Sequence, residues 1–268
     1  MLDLAVVLAG LIVGSFLNVC IYRMPKGLSV VSPRSACPQC GRPIRPWENI
    51  PVLSYICLGG RCRGCGGRIS WVYPAVELIT ACLFWLLYRR FGLTPEAALN
   101  ALFFSLLVAL LFIDLFERIL PDRLTLGGMT AGFLFAPWQH PEFLAGAGSL
   151  SLGGTVISSY LNSLVGMAVG GGFLWLVAEV YLRWRKIEGM GFGDVKMMGM
   201  VGAFLGWQYA WMTILLGSLL GAVGGGAYIL LAGRGRRYEL PFGSFLAVAA
   251  VVVTLTGPSA LRWYLGRL

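Results

Sequence analysis

The chain has 268 residues, 57% of them hydrophobic and only 12% charged, about half the charged share of a soluble domain. That balance excludes an ordinary soluble enzyme. The net charge of +9 comes without a basic stripe interleaved with aromatics, which argues against a nucleic-acid partner and for anionic lipid headgroups.

Apolar stretches near the length that crosses a bilayer, about 20 residues, recur along the whole chain and predict an all-α polytopic membrane protein. Eight candidate spans are read at 4–22, 72–90, 97–116, 124–139, 159–182, 197–207, 209–232 and 241–257. The first has no basic segment before it and no small-residue cleavage site after it, so it reads as a retained helix and not a signal peptide. The sixth is short and rich in glycine. Loops 23–71, 117–123, 183–196 and 233–240 carry 17 of the 21 Lys and Arg residues. By the positive-inside rule these loops are cytoplasmic, and both termini face outward. The sequence therefore divides into a first helix (1–22), a cytoplasmic module (23–71) and a membrane core (72–268).

The module holds two C-x-x-C pairs, Cys37 with Cys40 and Cys62 with Cys65, each followed by glycine. Four thiolates at this spacing suit a closed tetrahedral zinc site. The alternatives are two disulfides or four free thiols, and a reducing cytoplasm disfavours the disulfides. With no open position, the metal's role is structural, and it supplies much of the folding energy of a loop too polar for a core of its own. Cys20, Cys57 and Cys82 have no partner at ligand spacing, although Cys57 lies only five positions before Cys62.

There are four aspartates, Asp3, Asp114, Asp122 and Asp194. The last three lie at predicted cytoplasmic ends of spans, where a charge costs about 2.5 to 3.5 kcal/mol at membrane depth and marks function. Asp122, after Pro121 and before a new apolar run, reads first as a helix start. Asp114 follows an unbroken apolar stretch, and Asp194 sits in "GFGDVK" among glycines that let a peptide backbone come close. Two such carboxylates sharing one proton can activate water and protonate a carbonyl or amine, which is aspartyl-protease chemistry. Lys196 either tunes the pair or snorkels to headgroups. Other protease chemistries fail on inventory: the one histidine, His140, lies in an outward loop.

Glu77 reads either as a packed helix residue or as part of a polar site, and Glu179 with Arg183 as a local i,i+4 ion pair. Gly166 with Gly170, and Gly217 with Gly221, have the small-xxx-small spacing of closely packed membrane helices.

Taken together, "GSFLNVCIYRMP" (14–25), the paired cysteine loop, "YPAVELIT", "IDLFERILPDRLTL", "GFGDVKMMG" and "LPFGSFLA" (240–247) resemble the type IV prepilin peptidase family. These are the bifunctional leader peptidases and N-methyltransferases of bacterial type IV pilus and type II secretion systems. The resemblance covers nearly the whole chain. It implies Asp114 and Asp194 as catalytic residues, and Cys37, Cys40, Cys62 and Cys65 as zinc ligands. It also implies a place in the bacterial inner membrane, with prepilins and pseudopilins as substrates. S-adenosylmethionine is then the methyl donor. "GMGFGD" lacks the strand context of a nucleotide-binding loop, so for methyl transfer the candidates are Glu77 and segment 14–25. Glu117 and Glu188 are candidates for receiving a basic leader. The rival readings are a peptidase without methyl transfer, a transporter using Asp114 and Asp194 as ion sites, and a scaffold whose cysteine loop docks a secretion ATPase. Loss of pilin processing on changing one aspartate separates the enzyme from the last two.

Overall fold

A computed structural model describes residues 1–139, 154–187, 189–231 and 240–265. His140 and Glu188 lie outside the described residues. The helices are α1 (Leu2–Arg23), α2 (Leu53–Cys57), α3 (Val72–Phe91), α4 (Pro95–Glu117), α5 (Asp122–Leu134), α6 (Gly154–Arg185), α7 (Phe192–Leu220), α8 (Gly226–Leu231) and α9 (Phe242–Leu265). Two compact units, Met1–Ala109 and Leu110–Leu268, divide within α4.

Six helical stretches among the described residues are long and apolar enough to cross a membrane: Leu2–Lys26, Val72–Phe91, Pro95–Glu117, Val156–Arg185, Phe192–Tyr228 and Phe242–Ala260. This is an all-α, multi-pass membrane protein. The fourth predicted span is the 13-residue α5 followed by the short turn Ala136–Trp138. The sixth and seventh form one run, broken at Gly206, whose φ of 77° and ψ of 175° are open only to glycine.

The break reverses the chain. A side chain at Gly166 would collide with the carbonyl groups of both Gly202 and Gly206, and one at Gly170 would meet Met198 and, at 3.5 Å, Cβ of Ala210. Residues 198 and 210 therefore stand abreast against α6, so 192–205 and 207–220 are two limbs of a hairpin. Carbonyls just before such a break lose their helical partners, which is costly in a membrane. Here the Ala203 carbonyl accepts from Ser163 Oγ at 2.9 Å and Gln139 Nε2 at 3.2 Å, both donors buried. The first limb is the core of its unit, with every residue from Met197 to Gly206 buried. α9 runs back along the second limb, Gly257 beside Tyr209 at one end and Leu246 beside Gly217 nearer the other.

In the first unit, α1 and α3 pack through glycine. A Cβ at Gly10 would lie 2.6 Å from Cα of Ala81, and one at Gly14 would lie 2.6 Å from Cα of Glu77.

Candidate active site and metal centre

Three helix ends meet in the second unit. Asp114 lies in the last turn of α4, Asp194 in the first turn of α7, and Ser244 in the first turn of α9. Each helix start carries main-chain N–H groups without helical partners. One of these, the Ser244 N–H, donates to Asp114 Oδ2 at 2.6 Å, and the Ser244 hydroxyl reaches the same oxygen at 2.9 Å. Asp194 sits where its own helix dipole favours negative charge.

Gly243 shows how close the two carboxylates are. A methyl group there would stand 2.9 Å from Oδ1 of Asp194 and 3.1 Å from Oδ2 of Asp114. The two oxygens are thus no farther apart than those distances laid end to end, about 6 Å. Both aspartates are buried, at 6% and 8% exposure. They line a cavity of about 310 Å³ together with Arg118, Leu120, Gly191 and Lys196. Gly193 of "GFGD" packs so tightly on Leu120 that a Cβ would come within 2.9 Å of the Leu120 Cβ, so this glycine makes room for a neighbouring side chain.

Asp122 borders the same cavity but is otherwise engaged, accepting from Lys196 Nζ at 2.6 Å. It begins α5, as read from the sequence, though no side-chain cap forms there; the N-cap is Pro121. The lysine thus links α7 to α5. Glu117 is exposed, and the Glu179–Arg183 pair forms at 2.7 Å. Sequence reasoning missed Gly243 and Ser244. The signal for them is the "PFGS" run within the "LPFGSFLA" motif of the resemblance.

In the first unit the sulfur atoms of Cys37, Cys40, Cys62 and Cys65 all lie within 4.8 Å of one another. Two matching turns present them. Cys37 N–H donates to the Arg42 carbonyl and Gly41 N–H to the Cys37 carbonyl; Cys62 with Gly67, and Gly66 with Cys62, repeat the pattern. Gly41 and Gly66 take left-handed φ values of 71° and 69° to close them. All seven cysteines are free of disulfides, and Cys20, Cys57 and Cys82 stand apart from the cluster. The amides of Cys65 and Gly64 pull the Cys62 thiol down to about 6. Cys65 has the Gly67 amide favouring its thiolate, yet desolvation and the neighbouring sulfurs push it up to about 11. Glu48 ties the two turns together, bonded to Arg42 at 2.8 Å and 3.8 Å from Arg63.

Residues 8–91 match the family model described as the bacterial peptidase A24 N-terminal domain, and residues 101–226 match that of the type IV leader peptidase family. The chain belongs to the type IV leader peptidase family. The resemblance read from its motifs is borne out, and it is an enzyme of that family. It is 40% identical to the prepilin leader peptidase/N-methyltransferase of Aeromonas salmonicida (strain A449), over 97% of this chain and 92% of the relative. Proteins of the same name from Pseudomonas aeruginosa and Bacillus subtilis (strain 168) are 37% and 35% identical, over 98% and 96% of this chain and 93% and 95% of their own lengths. No solved structure matches the chain. Both aspartates fall inside the leader peptidase match and the four cysteines inside the N-terminal one, whereas Gly243 and Ser244 lie beyond either.

Proposed function

We propose that this enzyme removes the leader peptide of type IV prepilins and pseudopilins at the cytoplasmic face of the bacterial inner membrane, with Asp114 and Asp194 as its catalytic pair. The observation that carries the reading is the single point beside Gly243 from which both buried carboxylates are about 3 Å away.

Two carboxylates this close hold one proton between them. The ionised member takes a proton from a water molecule as its oxygen attacks the scissile carbonyl. The protonated member gives its proton to the carbonyl oxygen, forming a gem-diol. Collapse breaks the C–N bond, its electron pair stays on nitrogen, and the amine leaves with a proton returned from the pair. Ser244 positions one of the two carboxylates by holding Oδ2 of Asp114, and Gly243 leaves the space between them open. A prepilin has a cytoplasmic leader and a membrane helix, so its scissile bond waits at the interface where these helix ends converge.

The hairpin at Gly206 supports eight membrane segments with both termini outward, which keeps α4, α7 and α9 ends on one face with the basic loops. We assign the four-cysteine cluster to a structural zinc ion. Tetrahedral coordination at about 2.3 Å brings sulfurs to about 3.8 Å apart, and Cys37 and Cys65 already stand at 4.0 Å. We further propose N-methylation of the new amino terminus. S-adenosylmethionine would supply a methyl carbon to the neutral amine, the C–S electrons remaining on sulfur and one amine proton passing to a base or to water.

Cleavage of a cognate prepilin in membranes tests the pair: Asp114→Asn and Asp194→Asn should each be folded and inactive. Normal cleavage by both would return the transporter and scaffold readings.

A further inference from the structure

The first unit contains a second cavity, of about 360 Å³, between α1, α3 and the cysteine module. Its volume is at the lower end of sites for small organic ligands, large enough for a nucleoside joined to an amino acid. Its walls include Asn18, Tyr55, Tyr73, Glu77, Arg42 and Glu48.

The charges on these walls differ in how far they are committed. Arg42 and Glu48 neutralise each other, and Arg23, also at the rim, donates to the carbonyls of Ser29 and Pro33. Glu77 is 7% exposed and enters no salt bridge among the described residues. It accepts the Val52 N–H through Oε2 at 2.7 Å, with Ser15 beside it. That amide belongs to a valine at φ 59°, a conformation costly for a β-branched residue, so the loop is held against this carboxylate at the expense of strain. A buried carboxylate without a cation is expensive unless a ligand brings one. Tyr55 and Tyr73 add to the lining the type of side chain that holds a cation or a purine ring.

Both segments that the sequence singled out for methyl transfer, 14–25 and Glu77, border this cavity. The glycine loop that superficially resembles a nucleotide site does not. Gly191 and Gly193 line the cavity of the catalytic aspartates. The whole cavity lies within the N-terminal family match, apart from the leader peptidase match.

We propose that this cavity binds S-adenosylmethionine, with Glu77 as the counter-charge for its cationic sulfonium and amino-acid end. The proposal rests on the N-methyltransferase reading. The ligand carries an adenine ring, two positive centres and one carboxylate, and the walls present aromatic rings, a carboxylate without a cation and Arg68.

Equilibrium binding of radiolabelled S-adenosylmethionine to the detergent-solubilised, zinc-loaded full chain tests it. Glu77→Gln keeps an oxygen acceptor for the Val52 amide but removes the charge, so zinc content and melting should hold. Its affinity for S-adenosylmethionine should fall about tenfold or more, the loss of one charge-assisted contact. Its affinity for uncharged-sulfur S-adenosylhomocysteine should fall less, and Glu179→Gln should bind as the parent does. Equal affinities for Glu77→Gln and parent would overturn the site while leaving methyl transfer intact. Absence of saturable binding by the parent would overturn both. Photo-crosslinking of the ligand to the parent protein provides a check that needs no variant: adducts are expected within residues 15–77, and adducts confined to 189–193 refute the assignment.

Discussion

Ser244 donates both its main-chain N–H and its hydroxyl to one oxygen of Asp114, across 130 residues of sequence. The amide comes from the exposed start of α9 and the carboxylate from the end of α4, so each helix terminus answers the other's electrostatic need. Ser244→Ala keeps the amide and loses the hydroxyl. Its prepilin cleavage should show kcat about tenfold lower with KM little changed, the effect of one hydrogen bond to a charged group. Ser244→Thr, which restores the hydroxyl, should recover most of the rate. A fall in KM alone, or no recovery by threonine, would remove Ser244 from the positioning role.

Gly243 makes a harsher test. Alanine there places carbon about 3 Å from an oxygen of each aspartate, where the proposed mechanism seats the attacking water and the scissile bond. A displacement of about 1 Å costs on the order of 100-fold in rate, so Gly243→Ala should cleave at least that much more slowly. Its melting and zinc content should stay near the parent's, because only the site side of α9 is disturbed. Near-normal cleavage would mean that the reaction does not pass between these carboxylates.

Asp122 and Lys196 border the same cavity and pair with each other at 2.6 Å, which supports reading Asp122 as a structural partner. Asp122→Asn and Lys196→Gln should each retain cleavage within about threefold of the parent, the modest worth of a largely exposed ion pair. A dead Asp122→Asn together with an active Asp114→Asn would transfer the proposed catalytic role from Asp114 to Asp122.

The cysteine module should release its metal in acid. Protons compete with zinc for thiolates, and the free energy of binding is also free energy of folding. Glu48 acts in the same direction. The Arg45 main-chain N–H, with Arg42, holds its carboxyl below the ordinary glutamate value. A group depressed on folding stabilises above its unfolded value, about 4.3, and that contribution fades as pH falls through the folded value. Metal analysis should give one zinc per chain at pH 7.5, with loss on acidification and on chelation.

What could be read in advance followed local chemistry. The cysteine quartet is legible because ligand spacing is a short-range pattern, and the aspartates because four such residues in a hydrophobic chain can be audited one by one. Gly166 and Gly170 announced close packing, and the structure seats them against Gly202, Gly206 and Met198. Ser244 was not legible in this way. A serine at the start of an apolar run has many ordinary explanations, and its partner lies 130 residues upstream. Lys196 stays between two roles in the sequence because its partner, Asp122, is 74 residues away and depends on how α5 lies beside the first limb of α7. Glu77 likewise showed a buried carboxylate but gave no sign that a strained valine amide would meet it.

Gly206 is where local pattern and long-range packing join. The sequence predicts a short span, 197–207, and a full-length one, 209–232, without a turn signal between them beyond one glycine. Its φ of 77° with extended ψ is accessible to glycine and strained for alanine by about 1–3 kcal/mol. Gly206→Ala should therefore lower the detergent melting temperature, or else straighten the hairpin and strip the Ala203 carbonyl of its Ser163 and Gln139 donors. Gly172→Ala provides the contrast, being helical with nothing within 4 Å of the added carbon. It should be neutral or slightly stabilising, by up to about 1 kcal/mol. Because the first limb ends at Gly206 and carries Asp194 in its first turn, the prediction extends to function. Gly206→Ala should lose cleavage in proportion to its loss of fold, whereas Gly243→Ala should lose cleavage with the fold intact. Equal stability for Gly206→Ala and Gly172→Ala would show that the hairpin does not depend on the left-handed turn.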